Sequence, residues 1–94
     1  MIAVHPGRIL KRELNARELS ANRLALSLRL PSGRITDILN AKRGISPDTA
    51  LRLGRYFGNS PRFWLNLQTA YDLAEETKRK GDRIEAEVTP AEAA

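Results

Sequence analysis

The sequence contains no cysteine and a single histidine among 94 residues. Disulfides and thiolate-held metals are therefore excluded, and one imidazole cannot assemble the usual histidine ligand sets, so neither a metal nor another cofactor is expected. Long apolar runs are missing too: nothing approaches the ~20 residues of a membrane span, and no membrane partner is expected. The opening residues, MIAVHPGRILKREL, meet charge before a signal-peptide core could form, so the expected location is cytoplasmic. Catalytic groupings are equally scarce. No serine has a recognisable base and orienter, Asp72, Glu75 and Glu76 lie together on what reads as a solvated helix face, and His5 is placed to tie down the first helix. No enzyme is expected.

What is present suits one small helical core. Hydrophobic residues make up 41% of the chain, and no segment sustains the apolar–polar alternation of a strand. Proline and serine punctuation divides the chain into five predicted helices. The first starts at Pro6, carries Ile9, Leu10 and Leu14 on one face and runs to about Asn15. Ser20 can cap a second, with Leu24, Ala25 and Leu28 inward, although Arg23 stands where a capping box would want glutamate. A third begins between Pro31 and Ser32, buries Ile35, Ile38 and Leu39, and ends near Asn40 to Ala41, with Gly44 turning the chain away. Ser46-Pro47-Asp48 combines a cap, a first-turn proline and an acid at the positive end of the dipole, and so starts a fourth helix, which faces Ala50, Leu53 and Phe57 inward and stops at Gly58. Ser60-Pro61 repeats that signal for a fifth helix with Trp64, Leu67, Tyr71 and Ala74 on one stripe. Residues 1–80 are read as one domain, which carries the binding and association features described next. Residues 81–94, which alternate charges and small side chains without a clear apolar face, are read as a mobile tail.

Charge is distributed unevenly. Residues 1–43 hold nine Lys or Arg against three acids, whereas the remainder is nearly balanced, so a polyanion partner is expected at the N-terminal half. All five aromatics fall between residues 56 and 71, and none is interleaved with the basic cluster as a base-stacking platform for single strands would require. Duplex DNA is the better partner.

Two short helices joined by a tight turn, the second leading into a basic loop, meet the requirements of a helix-turn-helix. Opposite the buried face of the third helix stand Gly33, Asp37 and Asn40, flanked by Arg34 and Thr36, a surface small enough to enter a major groove. Arg34 can donate twice to a guanine edge, Asp37 can accept from a cytosine amino group, the Thr36 methyl can touch a thymine methyl, and Ser32 can donate to base or phosphate. Ser32, Gly33, Arg34, Thr36 and Asp37 are the candidate base readers. Ser20, Asn22 and Arg23 at the start of the second helix, with Asn40, Lys42 and Arg43 after the third, are candidate phosphate contacts. Arg34 and Asp37, three residues apart, also suit a plain solvated pair worth a few tenths of a kcal/mol. The segment FWLNLQTAYDL, residues 63–73, is apolar on more than one side, which marks Phe63, Leu65 and Leu73 for self-association. A homodimer would read an operator with an inverted repeat, its half-sites ~34 Å apart or a multiple of that.

His5-Pro6-Gly7, Leu19-Ser20, Asn22-Arg23-Leu24-Ala25, Arg34-Ile35, Asn40-Ala41-Lys42-Arg43-Gly44-Ile45, Asp48-Thr49-Ala50-Leu51-Arg52-Leu53 and Phe63-Trp64-Leu65-Asn66-Leu67-Gln68 together resemble the HigA antitoxins, also called virulence-associated protein I, of the Xre or phage-repressor-like superfamily. The resemblance covers roughly residues 5–75. It implies a five-helix, lambda-repressor-like all-α bundle and a dimeric antitoxin that represses its own operon and neutralises a RelE-like mRNA-cleaving toxin of the HigB type. A free-standing repressor of the same fold, without a toxin, is the alternative. The sequence departs from the superfamily at Ala21 and Gly33, where side chains that contact DNA are common, and at Arg29, where the turn usually has glycine; a left-handed backbone is expected there.

Overall fold

The computed structural model describes residues 3–92, which form five α-helices and, among the described residues, no strand. These are α1 (Pro6–Ala16), α2 (Ala21–Leu28), α3 (Ser32–Leu39), α4 (Pro47–Phe57) and α5 (Pro61–Glu87). Side chains of the expected residues cap most of the starts. His5 Nδ1 accepts from the Gly7 amide at 2.9 Å, Ser20 Oγ from Arg23 at 3.1 Å, Ser46 Oγ from Thr49 at 3.2 Å and Ser60 Oγ from Arg62 at 3.1 Å. Each satisfies one amide that the helix cannot pair internally. Only α3 lacks a side-chain cap, because Pro31 precedes it.

The ends follow a pattern that glycine placement alone does not disclose. Glu18, Arg29 and Ala41 adopt positive φ of 51°, 58° and 59°, as does Gly58 at 74°. At each, the following amide bonds back across the turn: Leu19 to Leu14 O, Leu30 to Ala25 O, Lys42 to Asp37 O and Asn59 to Gly54 O, at 2.8–3.1 Å. This is the Schellman closure, made three times by residues with a Cβ. Ala41, not Gly44, turns the chain out of α3.

The core is a single cluster in which Leu10, Leu24, Ile35, Ile38, Ala50, Leu53 and Trp64 are fully buried, with Leu14, Ala25, Leu28 and Ile45 around them. Trp64 keeps its polar atom satisfied by donating from Nε1 to Asn59 Oδ1 at 2.9 Å. α2 packs on α3, α1 crosses α3, and α4 lies along the first part of α5. The α1–α3 crossing is close enough that a Cβ on Gly7 would collide with the Ile38 carbonyl. Phe57, expected in the core, is half-buried at its edge, where the Arg17 guanidinium covers the ring at 4.8 Å.

α5 continues to Glu87, beyond the boundary expected at residue 80, and gives the molecule its 53 Å long axis. Ion pairs one turn apart sustain the extension: Glu75–Lys78, Glu76–Arg79, Glu76–Lys80 and Arg83–Glu87. Charge alternation that reads as a tail without an apolar face is, at this spacing, support for a solvated helix.

Candidate nucleic-acid interface

α3 is short because Pro31 starts it and Ala41 stops it, and its apolar residues define which side remains outside. Ile35 and Ile38 are fully buried and Leu39 is half-buried, so Ser32, Gly33 and Thr36 are exposed and Arg34 and Asp37 half-exposed. Nothing lies within 4 Å of the position a Gly33 Cβ would take. The Thr36 hydroxyl donates to Ser32 O at 3.1 Å, which leaves its methyl as the free contact group. The five candidate readers therefore share one small, accessible surface.

Arg34 is directed differently from expectation. Its nearest ion partner is Asp48 at the start of α4, at 4.0 Å, rather than Asp37 on its own helix. Asp48 is held by Arg52 Nε at 2.9 Å, and Arg52 donates from a second nitrogen to Leu28 O at 2.9 Å. The end of α2 is thereby connected through α4 to α3. Partial exposure keeps the Arg34–Asp48 attraction well under about 1 kcal/mol, weak enough to exchange for a base edge.

The phosphate candidates form two groups. Asn40, Lys42 and Arg43 are exposed where the chain leaves α3, and Ser20, Asn22 and Arg23 are exposed at the start of α2. The first amides of α2 have no helical carbonyl to bond, and such a terminus favours anions. Gln68 was not anticipated: its Oε1 accepts from the Ile45 amide at 2.7 Å, fastening the basic loop to α5. Nothing local in the sequence signals a contact across 23 positions.

His5 sits beneath this loop, its ring edge-on to Tyr71 at 4.9 Å between centroids. Burial lowers its pKa from the usual histidine value, against the opposing influence of the Asp72 carboxylate and a hydrogen bond with the Arg43 backbone. No group of side chains suited to holding a metal occurs among the described residues, and no helix is long and apolar enough to cross a membrane.

On α5, Phe63 and Leu73 are exposed, 43% and 59% respectively. Leu65, marked with them for self-association, is half-buried against the core.

None of the protein-family models matches the chain. Individual relatives do. The virulence-associated protein I of Dichelobacter nodosus is 52% identical over 82 residues, covering 84% of this chain and 76% of that protein. A HigA-family addiction module antidote protein from Coxiella burnetii superimposes with a TM-score of 0.93 at 52% identity, covering 97% of this chain and 100% of the other. The Pseudomonas aeruginosa antitoxin HigA, solved with the higBA promoter, gives a TM-score of 0.93 at 42% identity, with coverage of 97% and 100%.

Proposed function

Because the chain belongs to the HigA family of helix-turn-helix antitoxins, we propose that it binds duplex DNA in its own operator and represses the operon that encodes it. The observation that carries this reading is the outer surface of α3, where Ser32, Gly33, Thr36, Arg34 and Asp37 lie accessible beside the exposed cations Lys42 and Arg43. Small side chains allow the helix into a major groove, Arg34 and Asp37 offer donors and acceptors to base edges, and the loop cations, with the start of α2, engage phosphates. The similar Pseudomonas antitoxin was solved with the higBA promoter, which supports the DNA-binding reading.

The active species is a homodimer, supported by Phe63 and Leu73, which are exposed on the helix that packs along α4. One α3 reads too few bases to select a site, whereas two, related by a two-fold axis, read an inverted repeat. The protein partner is a RelE-like mRNA-cleaving toxin encoded beside it, supported by the family membership.

A labelled duplex from the region immediately upstream of the first reading frame of the operon tests DNA binding. Binding in preference to a shuffled duplex of equal length is expected, and equal affinity for both would overturn the reading. Co-expression with the adjacent upstream reading frame tests the toxin: a stable complex without RNA-cleaving activity is expected. Separate elution of the two proteins leaves a free-standing repressor.

A further inference from the structure

We propose that Gln68, on α5, is a positioning residue of the DNA interface: it holds the basic loop at the phosphate backbone and fixes that loop to the helix through which two copies associate. The proposal rests on the DNA-binding reading above and assigns Gln68 no contact with DNA. Both ends of its amide are engaged. Oε1 accepts from the Ile45 amide at 2.7 Å, while Nε2 donates to Asp72 Oδ1 at 2.9 Å, one turn further along α5. The second bond settles which end of the amide faces the loop.

The loop is shaped to receive it. A Cβ on Gly44 would lie 2.7–2.9 Å from the three terminal atoms of the Gln68 side chain, so the backbone rests directly on the amide and a larger residue there would displace the end of that side chain. Lys42 and Arg43 are thus held between two fastenings, the bond from the Lys42 amide to Asp37 O at 2.8 Å and that from Ile45 to Gln68. Without the second, Ile45 is still anchored by its buried side chain, but the preceding backbone can shift relative to α3. Cations that must reach phosphates while α3 sits in the groove lose affinity when their placement is no longer set in advance.

Titrating salt against affinity for the upstream duplex separates positioning from plain stability. Gln68→Leu removes both hydrogen bonds and changes no charge. The variant, folded by circular dichroism, is expected to bind about tenfold more weakly and with a salt slope smaller by roughly 1, because a phosphate contact is lost although every cation remains. Exchange of the Ile45 amide should accelerate at least about tenfold in the free protein. Gln68→Glu places a carboxylate beside Asp72 and should also weaken binding. The pair Gln68→Glu with Asp72→Asn restores the bond with its donor reversed, keeps the wild-type net charge and should recover affinity and slope. If Gln68→Leu does not fold, the rescue decides: a pair no better than Gln68→Glu alone overturns the proposal. Wild-type slope and slow Ile45 exchange in a folded Gln68→Leu overturn it alone, whereas a wild-type chain without preference for the duplex removes the DNA-binding reading and the proposal together.

Discussion

Glu18, Arg29 and Ala41 each close a helix in a conformation that disfavours a Cβ. The strain is compensated by the Schellman bonds they permit, yet it is avoidable where the side chain does nothing else. Ala41 carries only a methyl and is exposed. Ala41→Gly is therefore expected to raise stability by about 1 kcal/mol, net of the extra freedom glycine gives the unfolded chain, as an upward shift in the thermal midpoint. The candidate base readers and candidate phosphate contacts can be separated at the same scale. Arg34→Ala and Asp37→Ala should each cost roughly 1–3 kcal/mol on the operator and leave non-specific binding nearly unchanged. Lys42→Ala and Arg43→Ala should weaken both alike and lower the salt slope by about 1 for each contact removed. Because Arg34 also faces Asp48, Asp48→Ala serves as the control: it removes that ion pair, together with the bond from Arg52, without touching a candidate base reader.

At the scale of the element, the start of α1 depends on a titratable cap. His5 Nδ1 can accept from the Gly7 amide only when unprotonated, and burial holds its pKa below the unfolded value. The folded state therefore binds fewer protons than the unfolded state over that interval, so this contribution is present above about pH 6.5 and is lost as the pH falls through the lowered value. Thermal midpoints measured between pH 7.5 and 5 should drop further for the wild type than for His5→Asn, which caps without titrating. Parallel curves for the two proteins would show that the cap does not titrate with folding. α5 is governed differently along its length: Trp64 and its half-buried neighbours bind the first turns to the core, whereas one-turn ion pairs sustain the rest.

For the whole molecule, α5, which carries the candidate self-association surface, is joined to α3, which carries the candidate base readers, through α1, the basic loop and the start of α4. Leu73 is exposed in the single chain, so Leu73→Asp should leave the fold and thermal midpoint of the monomer intact. Sedimentation at micromolar concentration is expected to give about twice 10.5 kDa for the wild type and the single-chain mass for this variant, with loss of inverted-repeat binding. A Leu73→Asp protein that remains dimeric would move the interface elsewhere.

Helix existence, helix starts and the contiguous parts of the candidate site were legible in the sequence. Ser20, Ser46 and Ser60 act on amides two or three residues away, the apolar spacing within α3 dictates which of its side chains remain outside, and Lys42 and Arg43 follow α3 directly. These are local relations, and local physics is written in residue order. Other features were decided by the tertiary structure. Besides the expected Arg29, Glu18 and Ala41 also close helices in the left-handed region with a side chain present, α5 runs past its apolar stripe with one-turn ion pairs along it, and Leu65 is drawn against the core. Arg34 finds Asp48 instead of Asp37, and Gln68 finds the Ile45 amide, because packing brings together groups that sequence separation keeps apart. A hydrogen bond across 23 positions is specified by the sum of all the buried contacts that place α5 under the loop, and no pattern within either segment contains it.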